Sequence, residues 1–262
     1  MLNKKITFLL CAAFACCIAI FPSCKSNPAA SAITYQFSLT QGSSYIFTLT
    51  AVDSNNAPIP DSLKTIHESI VSAGVTYAGV SNAFCAIDTV YNTSNKIISI
   101  DSVFYETNGV YLLQYGFLAW MINTYTGAST LKGWDTIAYS GSPLWTVNIA
   151  DNVNTGMDGS PIPVNYSLYG EDIGDSSVEV DTTYYEVDRA SLHGTLVGSG
   201  NASGFPITAS AKLSANIYTT YNPTILGLVN APPIVIPVLN NGNLITTQKF
   251  NGFIRTLISY AL

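Results

Sequence analysis

Apolar and polar residues alternate along most of this chain, and the alternation breaks at Gly, Asn, Ser and Pro. Tyr35-Gln-Phe-Ser-Leu-Thr and Tyr45-Ile-Phe-Thr-Leu-Thr-Ala-Val52 flank Gln41-Gly42-Ser43-Ser44 and predict a hairpin. A period of two sends successive side chains to opposite faces of a pleated strand, and aromatic and β-branched residues favour it. Further strands are predicted at Lys64–Ser72, Ala83–Tyr91, Ile97–Glu106, Val110–Tyr115, Asp135–Tyr139, Trp145–Ile149, Ser177–Val197, Phe205–Tyr221 and Leu244–Leu262. Asn108-Gly109 is a strong hairpin signal, and Gly252 is read as a bulge in the last strand. Tyr115–Tyr125, with Phe117, Leu118, Trp120, Met121 and Ile122, fits a short helix or an aromatic-rich strand equally well. The Pro-rich run Ile225–Leu239 fits neither strand nor helix and is placed over an open end or edge of the sheet.

Roughly ten to twelve strands with short turns favour antiparallel neighbours, and so many strands curl or split rather than lie flat. The expected fold is all-β: a single antiparallel curved sheet closed as a barrel or half-barrel, with a sandwich as the alternative. No fixed-period repeat and no sharp linker divides it, so residues 33–262 are read as one domain.

The first residues break the alternation. Lys4 and Lys5 precede an apolar run from Ile6 to Phe21, then Pro22, Ser23 and Cys24. A basic start, an apolar centre and a small residue before the cut define a secretory signal, here residues 1–23. The run is about 16 to 18 residues, short of the roughly 20 that span a bilayer. Phe21-Pro22-Ser23-Cys24 resembles the relaxed lipobox of Bacteroidota lipoproteins, which implies acylation of Cys24 and a membrane anchor without a spanning helix. Ala13-Phe14-Ala15-Cys16 competes, but a cut there leaves Ile18–Phe21 as an apolar overhang. Residues 24–32 then form a lipidated tether.

Composition narrows the partners. Charged residues make up 10% of the chain, with 10 basic against 16 acidic. Loss of Lys4 and Lys5 raises the acidic excess to about −8. Such a surface argues against nucleic acid and against an electrostatic grip on anionic headgroups. With Cys24 acylated, Cys85 has no partner. Its apolar setting, Phe84-Cys85-Ala86-Ile87, reads as a buried, inert thiol.

Searches for chemistry identify no catalytic, cofactor or metal constellation, and the chain is read as non-enzymatic. His67-Glu68 lacks the second histidine of a helical zinc site, no Gly-x-Ser-x-Gly is present, and Gly198–Gly204 reads as a turn. Asp151–Gly156 looks like a calcium loop, but Val153 stands where an oxygen ligand belongs. The acidic cluster Glu171, Asp172, Asp175, Glu179, Asp181, Glu186 and Asp188 is better read as a solvated strand face. Paired carboxylates for glycoside cleavage depend on a separation in space that sequence does not give.

One short pattern recurs: Asp61-Ser62-Leu63, Asp88-Thr89-Val90, Asp101-Ser102-Val103, Asp135-Thr136-Ile137 and Asp181-Thr182-Thr183. It resembles the O-glycosylation motif of exported Bacteroidota proteins, which implies Ser62, Thr89, Ser102, Thr136 and Thr182 as candidate acceptors. The layout as a whole, from the Gly-Ser-Ser-Tyr-Ile-Phe-Thr-Leu hairpin to Ile-Arg-Thr-Leu-Ile-Ser-Tyr-Ala-Leu at the end, resembles uncharacterised Bacteroidota lipoproteins with lipocalin-like or lipoprotein-carrier-like half-barrels. That likeness implies a curved sheet around an apolar cavity suited to acyl chains or similar ligands. Lys25-Ser26-Asn27-Pro28-Ala29 lacks the acidic run that resembles a surface-export signal, which favours an outer-membrane anchor facing the periplasm. Two functions follow as expectations. One is a binder or carrier of an apolar ligand; the other is a structural or adhesive module whose exposed aromatic row (Tyr184 and Tyr185, or Trp134) meets protein or glycan.

Overall fold

A computed structural model describes residues 36–126, 132–139, 144–154, 161–180, 182–202, 205–221 and 224–262. The signal peptide, Cys24 and the tether lie outside the described residues, as do Gly156 and Asp181. Tyr35–Leu262 forms one unit with its own core, the condition for folding independently of what precedes it.

The first half is a meander: β1 (Ser44–Val52), β2 (Lys64–Tyr77), β3 (Val80–Tyr91), β4 (Ile97–Thr107), β5 (Tyr111–Tyr115), helix α1 (Phe117–Thr126) and β6 (Trp134–Tyr139). A second meander follows: β7 (Leu144–Asn154), β8 (Pro161–Val180), β9 (Thr183–Ala202), β10 (Phe205–Tyr221) and β11 (Thr224–Ala231). The hairpin β12 (Ile234–Asn240) and β13 (Asn243–Phe250) precedes β14 (Gly252–Ala261). The described strands form one antiparallel sheet of order β6-β5-β4-β3-β2-β1-β14-β11-β10-β9-β8-β7, with β12 paired to β10 and β13 paired to β12. The last strand joins the two meanders by pairing with β1 on one side and β11 on the other.

Curling follows from connectivity. β6 and β7 are the opposite edges of the sheet, yet only four residues separate them in sequence, a reach of at most about 18 Å. The Tyr139 amide on β6 accordingly reaches Asp188 on β9. The result is a nearly closed barrel.

Inside, the alternation of each strand fills the interior. Tyr45 and Phe47, Ile66 and Ile70, Ala86, Tyr105, Leu112, Ala190 and Leu192, Ile217, and Phe253 and Leu257 are all buried. Helix α1 adds Phe117, Leu118 and Met121 from one face, the i, i+1, i+4 spacing of an amphipathic helix. Asp135 on β6 caps it: its Oδ2 accepts the Leu118 amide at 3.0 Å, answering a donor the first turn leaves free. No helix among the described residues is long and apolar enough to cross a membrane.

Several expectations are corrected. Residues 36–40 are not a strand. They cross one end of the barrel, where Phe37 donates to the Gly109 carbonyl (2.9 Å) and Ser38 is bonded to Thr224. Phe37 stacks on Tyr221 at 5.0 Å, so its side chain closes that end. The Pro-rich run is two strands, β11 and β12, interrupted at Pro232-Pro233, where the missing amides leave no ladder donor. The final segment is likewise two strands, and Gly252 is not a bulge. It opens β14, where a Cβ would collide with the Ala231 carbonyl oxygen and stand 2.7 Å from Pro232 C and Pro233 N. Of the two readings of Tyr115–Tyr125, the helix is correct from Phe117. Ser177–Val197 is not one run: β8 ends at Val180 and β9 starts at Thr183.

Candidate functional site

Three inward-facing positions of the first meander carry acids. Glu68 on β2 lies between Ile66 and Ile70, and all three are buried. On β3, Asp88 shares the inner face with Ala86 and Val90. On β4, Asp101 shares it with Val103 and Tyr105. The register sets Glu68 opposite Asp88, and Asp88 opposite Asp101. Directly paired residues on one face are close neighbours, and like charges there repel. The result is a row of three carboxylates across β2, β3 and β4.

One cation answers one end of the row. Arg255 on β14 reaches Glu68 Oε2 at 3.4 Å, with both side chains 5% exposed. Its guanidinium lies 3.6 Å over the Phe47 ring, a cation–π contact. Tyr105 donates its hydroxyl to Glu68 Oε2 at 2.7 Å. Burial, then the Glu68 charge, pushes the Asp88 carboxyl up to about 8, although Arg255 opposes this. Asp88 lies against Glu68 and its Oδ1 meets no donor. Burial and the same acid also hold the Tyr105 hydroxyl well above its usual range.

Asp88 and Asp101 of this row form part of the wall of a cavity of about 590 Å³ between α1 and strands β1–β5. The lining is mixed. Leu49, Ile66, Val90 and Val103 supply apolar wall, Trp120 an aromatic face, and Asp88, Asp101, Gln114 and Arg255 polar groups. A second space of about 410 Å³ shares Leu49, Lys64, Ile98 and Thr124 with it and extends toward Ser62, Asn92 and Lys249. The apolar cavity that the family likeness implies is here of mixed lining, because strand parity carries acids inward on three adjacent strands.

A second acidic group lies on the other half of the barrel. A bulge at Ile173-Gly174 brings Asp172 and Asp175 beside Asp188. Burial, then Asp172 and Asp175, pushes Asp188 up to about 7. Tyr221 donates to Asp175 at 2.7 Å, and Arg189 caps the Gly174 and Ile173 carbonyls. The solvated strand face holds for Glu171, Glu179 and Glu186, which are exposed, but not for Asp188, at 1%. No three acidic, His or Cys side chains among the described residues are placed to hold a metal ion. Asp151–Asn154, read as the start of a calcium-like loop, are ladder residues of β7.

The remaining candidates are dispersed. His67 packs on Tyr91 and His193 on Tyr169. Ser191 Oγ lies 2.7 Å from His193 Nε2, a pair the sequence reading missed, but Ser191 is buried at 6%. Cys85 is half-buried rather than buried. Tyr184 and Tyr185 are successive strand residues on opposite faces: Tyr184 is exposed, while the Tyr185 hydroxyl meets that of Tyr260. With Trp134 packed edge-on against Tyr115, these residues form no aromatic row. Of the candidate acceptors, Ser102 and Thr182 are exposed, and Thr89 and Thr136 are half-buried. Ser62 is engaged: its Oγ accepts the Ala51 amide at 2.8 Å and donates to the Ile59 carbonyl at 2.7 Å.

No protein-family model matches the sequence, and no curated protein matches it. Two crystal structures are similar to it, each of a protein named as putative. One is a lipoprotein from Parabacteroides distasonis ATCC 8503, at 11% identity and TM-score 0.46, covering 87% of this chain and 98% of that one. The other is an exported protein with a YmcC-like fold from Bacteroides fragilis NCTC 9343, at 7% identity and TM-score 0.41, covering 87% and 99%. At such scores the likeness bears on neither the activity nor the ligands of this chain.

Proposed function

We propose that this chain is an envelope lipoprotein, anchored through Cys24 to the outer membrane and facing the periplasm. Its barrel is a non-enzymatic binding module for a small amphipathic molecule. The anchor rests on residues 1–24 of the sequence. The binding role rests on one observation: a cavity of about 590 Å³ sets Ile66, Val103 and Trp120 beside Asp88, Asp101 and Gln114. Cavities of a few hundred Å³ that combine apolar walls with a few placed polar groups are the usual form of small-molecule sites. A structural module would fill that volume with side chains, as this barrel does around Phe47, Phe117 and Phe253.

Native mass spectrometry on residues 25–262, exported to a bacterial periplasm without the acyl anchor, tests this reading. A stoichiometric small-molecule adduct, lost on denaturation, is the expected result. Bare protein at its calculated mass, in repeated preparations, transfers the assignment to a structural or adhesive module.

A further inference from the structure

The polar wall of the cavity sets Asp88 and Asp101 against Lys64 and Arg255, the last of them already paired with Glu68. Asp88 and Asp101 face each other across β3 and β4 and have no ion-pair partner among the described residues. The charged or titratable groups near them are Glu68 and Lys64 from β2, Tyr105 from β4, Tyr115 from β5 and Arg255 from β14. Lys64 is exposed and forms no ion pair among the described residues. Helix α1, which forms the opposite wall, contains no charged residue. Asp88 and Gln114, the latter only 8% exposed, both stand in this wall, each with one buried oxygen that meets no donor in the protein.

We propose that the cavity takes an organic cation: a ligand whose protonated amine is held at the Asp88–Asp101 pair and whose apolar, ring-sized body lies against Trp120 and Val103. The inference rests on the cavity being the binding site and names its ligand class. An ammonium supplies positive charge and up to three donors at once. Trp120 is the aromatic face best suited to a cation or a flat ring. No three acidic, His or Cys side chains among the described residues are placed to hold a metal ion, whereas an ammonium needs no such set. Burial and Glu68 keep a proton on Asp88 up to about 8, and an amine held at this pair displaces it. Affinity for an amine therefore rises as pH is raised through about 8.

The test uses isothermal titration of residues 25–262 with three probes of one ring and different heads: tryptamine, tryptophol and indolepropionate. Tryptamine binds tightest, and Asp101→Asn weakens it about tenfold or more, the scale of a charge-assisted hydrogen bond. The same variant leaves tryptophol within twofold of its original affinity. Asp101 is exposed, so this change spares the fold. Ala119→Phe, which fills the cavity from α1, abolishes binding. If tryptophol or indolepropionate binds as tightly as tryptamine, or Asp101→Asn leaves tryptamine unchanged, the cationic class is wrong while the cavity reading stands. If no probe binds and native spectra show no adduct, both fall together.

Discussion

Replacing Arg255 with Met isolates the electrostatics of the barrel interior. The substitution keeps an unbranched, apolar side chain over the Phe47 ring and removes the charge that Glu68 faces at 3.4 Å. Glu68 is then a 4%-exposed carboxylate beside Asp88, with no cation facing it and the Tyr105 hydroxyl still donating to it. Breaking a buried ion pair by removing one partner costs about 3–5 kcal/mol. For a domain of this size that corresponds to a fall in Tm of roughly 6–20 °C. Thermal unfolding followed by far-ultraviolet circular dichroism measures the loss. Restoring neutrality with Glu68→Gln alongside Arg255→Met recovers part of it. A loss below about 1 kcal/mol, or no recovery in the double variant, would refute the reasoning.

The other predictions concern the frame and the surface. Gly252→Ala forces a Cβ into the Ala231–Pro233 backbone, and a loss of several kcal/mol of unfolding free energy by urea titration is expected, since backbone has little room to yield. Asp88, Asp135 and Asp188 are held at about 8, 6 and 7, above the usual value near 3.8. Each binds its proton more tightly folded than unfolded. Their stabilisation is complete below about 3.8 and is lost as pH rises through 6, 7 and 8, so Tm should fall between mildly acidic and mildly alkaline buffer. Asp135→Ala removes the cap of α1 and costs about 0.5–2 kcal/mol by urea titration, whereas Asp135→Asn keeps an acceptor and at about pH 8 costs little. Glycopeptide mapping of protein from a host with the modification should find Ser102 and Thr182 occupied, and Ser62, locked to Ala51 and Ile59, bare.

Much of the barrel is legible in the alternation. Phe205–Tyr221 is predicted to the residue, and Asn108-Gly109 marks a turn in which Gly109 takes φ +89°. Both depend on short-range chemistry. Residues 36–40 have equally good alternation but no strand neighbour. Their place is fixed by Gly109 and Thr224, far away in sequence, and no local pattern reports such partners. The Pro-rich run misled for the opposite reason: only Pro232-Pro233 breaks the ladder, and the residues around it still pair. The candidate site was half visible. A charged residue in the apolar parity of a strand, as in Ile66-x-Glu68-x-Ile70 or Ala86-x-Asp88-x-Val90, is a local sign of an inward acid. That the three acids share one row depends on register between strands, which the sequence does not display. The same parity explains part of the recurring Asp-Ser/Thr pattern: on β3 and β4 the aspartate points inward and the hydroxyl residue outward.

A crystal structure of the protein purified from its native envelope tests the central claim most directly. The account predicts density for one small molecule between α1 and strands β1–β5, with its polar end at Asp88 and Asp101. A cavity holding only ordered water, with any bound molecule elsewhere, would contradict it.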